Sequence, residues 1–391
     1  MTYREMQFAG ILTQSLIRLE RYILAEEYRG YDPYDVLTSP LFKIVPFRNP
    51  RFLRFASQQI VRRLSLNVRP ILGIKKGLNP VTYGLCLQAF SNLHGLFPGK
   101  GYKEKAGHCI NELSRLQSRG YSGACWGYDF DWVGRYSHIP AFSPTIVATG
   151  IITNALFSAN QVFNIEDARR HLESSVKFII NDLQRTSEGE TFCFSYSPLD
   201  RQAVFNATMK GARLLAQVYS LTGDAALLKE AAKTVRYVLN HQQSDGSWRY
   251  SSGDTRTWSD NFHTGYVLDC LHEYSLLSGD ITPNEAVEKG FDFYRRNFFT
   301  GEGIPRYFAN STYPIDSTAA AQSIMTLVKF GDRETAIKVA KWMITYMQSS
   351  EGFFYYRRYR IFANKISYMR WSNAWMFLAL AILAKEEHAL V

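Results

Sequence analysis

Cysteine is scarce in this chain, and the few that occur are not spaced as partners. Cys86, Cys109, Cys125, Cys193 and Cys270 are odd in number, lie far apart and form no CxxC. Without a histidine at zinc spacing beside them, they argue against a disulfide framework and a zinc site, and read as free thiols of a reducing compartment. Also missing are a glycine-rich phosphate loop, a dinucleotide fingerprint and a metal-spaced cluster, so neither cofactor nor metal is expected. The first apolar run, Phe8 to Leu12, gives way to Gln14, Arg18 and Glu20. It is too short for a signal-peptide core or a membrane span, and a cytoplasmic location is expected.

Acidic charge is the minority: 35 Asp and Glu face 45 Lys and Arg, for a net charge of +10. Such a field attracts anionic partners without naming one. The basic residues make no tail and no single run, and no common nucleic-acid module is legible, so nucleic acid is not the expected partner. Membrane contact, if made, would be peripheral and through the basic surface. Much of the excess lies in Arg48, Arg51, Arg54, Arg62, Arg63, Arg69, Lys75 and Lys76. Arg357, Arg358 and Arg360 form a second group interleaved with Tyr355, Tyr356 and Tyr359.

What the chain does have is aromatic surface: 24 Tyr, 26 Phe and 7 Trp make up 15% of 391 residues. Tyr and Trp offer an apolar face and a polar tip, which suits a wet pocket where sugar rings stack and hydroxyls are hydrogen-bonded. A Tyr-rich helical core would use the same residues, and composition alone does not separate the two.

An internal repeat occupies the middle and end. Its turns read Gly123-Ala-Cys-Trp-Gly-Tyr128, Gly189-Glu-Thr-Phe-Cys-Phe194, Gly246-Ser-Trp-Arg-Tyr250, Gly303-Ile-Pro-Arg-Tyr307 and Gly352-Phe-Phe-Tyr-Tyr356. Successive glycines are 66, 57, 57 and 49 residues apart, room for two helices and two connections per unit. Each turn is read as a short aromatic strand following an amphipathic helix, such as 226–243. After each comes a helix rich in small residues and apolar nearly all round, expected at 145–159, 203–221, 260–277, 319–330 and 370–385. The first kind suits an outer ring and the second a buried inner ring. With helices at 6–27, 51–64 and 80–96 supplying a sixth pair and an extension, the expectation is an all-α (α/α)6 toroid. It takes 1–391 as a single domain, with 1–75 as N-terminal extension and first helices.

The stretch Gln242-Gln-Ser-Asp-Gly-Ser-Trp248 resembles the Gln-x3-Gly-x-Trp turn of α/α-toroid proteins such as triterpene cyclases. Across its five repeats the chain is similar to the six-hairpin glycosidase-like superfamily, and to the helical domains of uronyl C-5 epimerases and polysaccharide lyases. Tyr31-Asp-Pro-Tyr-Asp35, Trp126-Gly-Tyr-Asp-Phe-Asp-Trp132, Phe192 to Asp200, Asp260-Asn-Phe-His-Thr-Gly265 and Met369-Arg-Trp-Ser-Asn-Ala-Trp375 resemble a little-characterised family associated with polysaccharide biosynthesis in bacteria and archaea. The resemblance implies the toroid and a glycan substrate, and leaves the reaction open among hydrolysis, elimination and epimerisation. The DxDD box of squalene-hopene-type cyclases is missing, with Asp129-Phe-Asp131-Trp132 the nearest approach, as is the Asp, Cys and His zinc set of protein prenyltransferases.

In such a toroid the loops leading into the inner helices gather at one mouth. Those positions hold Asp129, Asp131, Tyr196, Asp200, Trp258, Asp260, Asn261, His263, Asp316, Arg370, Trp371 and Asn373, with Trp126, Tyr128, Tyr355 and Arg357 in the adjoining turns. An Asp at a helix start is also explained as a cap. Asp260, Asn261 and His263 share one turn beside Trp258, joining an acceptor, an amide and a group that moves protons near neutral pH. For hydrolysis, Asp131 and Asp260 are the candidate acid and base. For elimination or epimerisation, His263 and a tyrosine would move the proton while Arg370 grips a uronate carboxylate. The partner expected is an oligo- or polysaccharide that is acidic in the epimerase and lyase readings. The rivals are a non-catalytic glycan-binding protein on the same toroid and a terpenoid cyclase-like protein, whose cavity walls would be dominated by Phe.

Overall fold

Small side chains let helices approach closely, and six such helices line up around one axis. The computed structural model describes residues 3–44, 50–134 and 137–389; Arg48 lies outside these. The inner ring is α3 (Pro80–Leu93), α5 (Ile146–Phe163), α7 (Phe205–Thr222), α9 (Asn261–Ser278), α11 (Ser317–Lys329) and α13 (Trp375–Ala389). Each touches the next and α13 returns to α3, so the ring is closed. Outside it stand α1 (Tyr3–Ala25), α4 (Tyr102–Arg115), α6 (Glu166–Asn181), α8 (Ala225–Asn240), α10 (Asn284–Asn297) and α12 (Arg333–Met347), running antiparallel to the inner helices.

The amphipathic reading of the outer helices and the apolar reading of the inner ones follow from this placement. On α8, Leu227, Ala231, Val235 and Val238 are buried, at helical spacing on one face. On α11, every residue from Ser317 to Leu327 is buried. By length and composition α5 is apolar enough to span a membrane, but two-thirds of that window is buried inside the ring. All five cysteines are free and buried in these helices and turns.

Four of the five repeated glycine turns, all but that at Gly189, press against the next outer helix. A Cβ at Gly246 would sit 2.5 Å from the carbonyl oxygen of Lys289 on α10, and one at Gly352 2.5 Å from that of Arg18 on α1. Gln242 Nε2 donates to the carbonyls of Gly246 and Ala286, and Gln348 Nε2 repeats the pattern with Gly352 and Ser15. The last turn therefore closes the outer ring onto the first helix, across more than 300 residues of sequence. Gly352 also has φ of 103°, a region unfavourable for other residues. Gly352→Ala is expected to cost about 2 kcal/mol or more in urea unfolding.

Among the described residues, two of the five aromatic turns are true strands: β2 (Thr191–Phe194), paired with β1 (Arg185–Glu188), and β4 (Tyr355–Arg358), between β3 (Ile315–Asp316) and β5 (Ala363–Ser367). The other three do not form named strands, because their backbone groups are taken by side chains and loops. Trp126 N–H donates to Thr149 Oγ1 and Tyr250 N–H to the Trp258 carbonyl.

Helix α2 (Arg51–Arg63) belongs to neither ring. It lies over the mouth where the inner helices begin, on a satellite cluster of Val36, Leu37, Val61, Ile74 and Val133. Gln58, fully buried, fastens it by donating to the carbonyls of Tyr34 and Asp131 and accepting from Val133 N–H. The N-terminal segment thus divides: α1 is a wall of the outer ring, and the residues around α2 form a cap. Many of the cationic side chains here are engaged internally. Arg69 is bound to Asp35 at 2.7 Å, Arg62 to Tyr34 Oη at 2.6 Å and Arg54 to Asp131.

Two cavities lie on the ring axis. One, about 400 Å³, opens under α2; the other, about 480 Å³, opens where the inner helices end. Tyr266 and Trp375 line both, forming the partition. Below it Lys210 rests its ammonium 3.6 Å from the centre of the Tyr266 ring, and burial pushes its pKa down to about 7. Arg213 on the same helix, Asp269 and Glu273 on α9 and Lys329 on α11 are its charged neighbours. With the folded pKa depressed, the unfolded chain binds the extra proton between pH 7 and the ordinary 10.5. The penalty is therefore full below about 7 and fades towards 10.5. Lys210→Met is expected to raise Tm by a few degrees at neutral pH, with the gain shrinking as pH rises, read by thermal melts across that range.

Candidate functional site

The helix starts converge, as inner helices of one polarity must. Asp260, 2% exposed, caps α9 by accepting His263 N–H at 3.0 Å on Oδ1. Its other oxygen lies 2.7 Å from His263 Nδ1. A carboxylate there fixes the proton on Nδ1 and leaves Nε2 as the acceptor. Nε2 has no hydrogen-bond partner among the described residues, and His263 lines the cavity under α2. Tyr250 stands edge-on to the imidazole at 4.6 Å and Tyr266 at 6.2 Å. Burial pushes both phenols up, so they remain protonated donors.

Arg370 reaches the same cavity from the π-helical turn Met369–Ala374 that precedes α13. Its Nε donates to Asp32 at 2.6 Å, and its guanidinium stacks near Tyr128 at 4.8 Å and Trp371 at 5.1 Å. Burial opposes its charge, but Asp32 and Tyr128 outweigh that and hold it firmly protonated. The motif Tyr31 to Asp35 builds this support. Asp32 N–H donates to Asp35 Oδ2, Tyr34 N–H donates to Asp32 Oδ1, and Arg69 holds both the Asp35 carboxylate and the Asp32 carbonyl. These groups give the two clusters of the N-terminal segment and the last inner helix a common anchor.

The walls are aromatic and wet. Six tyrosines and four tryptophans line the cavity, against four phenylalanines. Trp132 and Tyr196 stack at 6.0 Å, and Tyr250 and Trp258 at 5.4 Å, with Trp258 43% exposed. Arg62, Arg256 and Arg370 contribute guanidinium groups, while Asp260 is the one carboxylate among the described lining residues. The Phe-dominated wall expected of a terpenoid cyclase-like protein is not what lines this mouth.

Of the residues expected at the mouth, Tyr128, Tyr196, Trp258, Asp260, His263, Arg370 and Trp371 line the cavity together. Others are brought close but used elsewhere. Trp126 is fully buried and donates from Nε1 to the Leu113 carbonyl at 2.8 Å, the same core bond that Trp248 makes to Val238. Asp131 is held by Arg54 and by Ala141 N–H at 2.8 Å, clamping the cap rather than facing the cavity. Asp200 does not cap α7; it accepts from Tyr196 N–H, Gln202 N–H and Ser197 Oγ in its own turn. Asn261 is spent on Tyr294, Ser323 and the Arg306 carbonyl, and Asn373 on Phe354 N–H, Ser367 and the Tyr368 carbonyl. Asp316 caps α11 and pairs with Arg357 at 2.6 Å, and Tyr355 gives its carbonyl to Ser317.

Asp129 faces an adjoining pocket of about 430 Å³ with Asp32, Asp35 and Arg370. Burial, then the charge of Asp32, pushes its carboxyl up to about 6, against the bond it accepts from Asn79 Nδ2. Sequence reading missed Asp32, Tyr34, Arg62, Tyr250, Tyr266 and Tyr307. The Tyr-Asp-Pro-Tyr-Asp motif was a signal for the first two, and the repeated aromatic turns for Tyr250 and Tyr307; Arg62 and Tyr266 have none, because their roles come from helices distant in sequence. Among the described residues no group of three or more His, Cys, Asp or Glu is arranged to hold a metal.

No family model and no curated protein matches this chain by sequence. Its fold is similar to that of an unsaturated glucuronyl hydrolase specific for heparin, with TM-score 0.64 and 12% identity, covering 97% of this chain and 98% of that one. It is also similar to cellobiose 2-epimerase from Bacillus thermoamylovorans, with TM-score 0.61 and 13% identity over 79% of this chain and 88% of that one. A GH76 α-mannanase from Bacteroides thetaiotaomicron aligns with TM-score 0.59 and 10% identity, covering 80% and 87%. These likenesses, with the closed double ring, establish the (α/α)6 toroid as the fold of this chain.

Proposed function

We propose that this protein is a carbohydrate-active enzyme that moves a proton on an acidic sugar, by C-5 epimerisation or elimination. The observation that carries this reading is the Asp260–His263 pair, set into an aromatic cavity whose lining holds three guanidinium groups and one carboxylate. A base with its acceptor nitrogen turned to the cavity suits abstraction of a proton from carbon beside a carboxylate. The electron pair left behind moves onto the carboxylate oxygens, where the Arg370 guanidinium offsets the developing charge. Tyr250 or Tyr266, kept protonated by burial, can return a proton to the other face of C-5 in epimerisation, or give it to the departing O-4 as the C-4–O-4 bond breaks in elimination. Trp258, Trp371 and Tyr196 supply ring faces on which a pyranose stacks. The similar folds carry names of glycan- or sugar-acting enzymes, which agrees with a carbohydrate substrate.

A second reading, glycoside hydrolysis, is favoured by Asp129, whose carboxyl at about 6 is near what a general acid needs, beside Asp32. Uronate-containing and neutral oligosaccharides incubated in D2O separate the two. Deuterium at C-5 of a uronate, or a 4,5-unsaturated uronate at a new chain end, lost in His263→Ala and kept in Asp129→Asn, supports proton transfer. New reducing ends with neither C-5 exchange nor an unsaturated uronate, lost in Asp129→Asn, support hydrolysis. Sugar binding with neither outcome leaves a glycan-binding protein.

A further inference from the structure

From Val36 to Lys76 the sequence contains no acidic residue and nine basic ones, and from Gly352 to Arg370 it again contains no acidic residue. These two stretches are far apart in the chain but meet at one rim of the toroid. Asn364 of β5 donates to the carbonyl of Leu64, just past the end of α2, at 2.7 Å. The Pro40 ring lies against Gly73, and Ser39 Oγ donates to the Leu72 carbonyl, so the 39–44 segment joins the same face.

This rim exposes large apolar side chains that the interior does not cover. Phe52 is 76% exposed, Leu66 70%, Ile71 83% and Ile361 90%. Ile44, Ile60 and Phe362 are exposed beside them in sequence. Their neighbours Lys43, Arg51, Arg63, Lys75, Arg360 and Lys365 are exposed as well. A scattered exposed apolar residue needs no explanation, but this many drawn from one cap and one hairpin tip do. The arrangement also has a direction: Phe55, Gln59 and Arg62 of α2 line the mouth of the candidate site, so the face surrounds its opening.

We propose that this rim docks on an anionic lipid bilayer, with the apolar tips in the headgroup boundary and the cations on the lipid phosphates. A helix that turns apolar residues and arginines to the same surface is built for that interface. The exposed cations of this face, Lys43, Arg63, Lys75, Arg360 and Lys365, match an anionic leaflet. Nucleic acid would be attracted by the same cations, but it gives Ile71, Ile361 and Phe52 nothing to enter. The consequence is that the cavity opens towards the membrane, within reach of a glycan attached to lipid. Docking is read without turnover, so it stands or falls separately from the proton-transfer reading.

The test is co-sedimentation of the full chain with vesicles of phosphatidylcholine alone or mixed with phosphatidylglycerol. Binding to the mixed vesicles, weakening as salt is added, is expected. The triple variant Phe52→Ser, Ile71→Ser and Ile361→Ser should lose it by about tenfold or more while keeping the wild-type Tm, since all three side chains are exposed. Unchanged binding by the triple variant, or equal binding to both vesicle types, overturns the proposal, as does a DNA oligonucleotide that binds more tightly than the vesicles and displaces them. On wild-type protein, hydrogen exchange with vesicles present should slow at 51–71 and 358–365. Slowing confined to the opposite mouth, around Leu276 and Ile281, also overturns it.

Discussion

His263→Ala is expected to lower the rate of proton exchange on a turned-over uronate by about 10²–10⁴-fold, with little change in stability. The reason lies in how the side chain is held. Asp260 receives the backbone N–H of His263 on one oxygen and faces the ring on the other, so the imidazole is fixed in both orientation and tautomer. The partly exposed ring packs on Phe262 and Tyr250 but carries no structural hydrogen bond beyond Asp260, so its removal empties the acceptor position without unpinning α9. Asp260→Asn provides the companion measurement. Asn caps a helix about as well as Asp, so α9 should hold, while the negative charge that steadies a protonated imidazole is lost. The expected result is a fall in kcat larger than any change in KM, smaller than that of His263→Ala, and no shift in Tm. Full activity in His263→Ala sinks the assignment.

Trp126→Ala should have the largest effect on stability, about 3–5 kcal/mol in urea unfolding. Its indole is fully enclosed, it faces His171 edge-on at 6.1 Å, and its Nε1–H satisfies the Leu113 carbonyl near the end of α4. Truncation opens a cavity between α4, α5 and α6 and strands that carbonyl, two costs that add. Trp258→Ala is the contrast. At 43% exposed and stacked on Tyr250 at the cavity wall, Trp258 should give up little stability and instead weaken sugar binding. If both substitutions left the unfolding midpoint where it was, the core placement of Trp126 would be refuted.

These two tryptophans show where sequence reading of the site ran out. Both sit in or next to a repeated aromatic turn, and both were read as substrate contacts. The repeat, however, has a structural use for one of its rings: in Gly-x-x-Trp126 and Gly-x-Trp248 the indole closes the end of an outer helix. Asp260 and Asp316 are similarly alike in sequence, each an N-cap before a small-residue helix. Asp260 meets a histidine three residues on, whereas Asp316 meets Arg357 from a strand 41 residues away and becomes a closed ion pair. Local spacing announces the first pairing and says nothing of the second.

Periodicity and punctuation determined the double ring by themselves. Small and apolar residues all round a helix require burial on every side, one-faced helices require a single interior, and glycine turns repeated along the chain mark five of the six hairpins. Those are short-range properties, written within a helix or a turn. Tertiary structure alone decided which polar groups face the axis. Asp131 went to Arg54, Asp32 to Arg370 and Arg69 to Asp35, because a buried charge takes the partner that the fold brings within hydrogen-bond reach, and that distance is unrelated to separation along the chain.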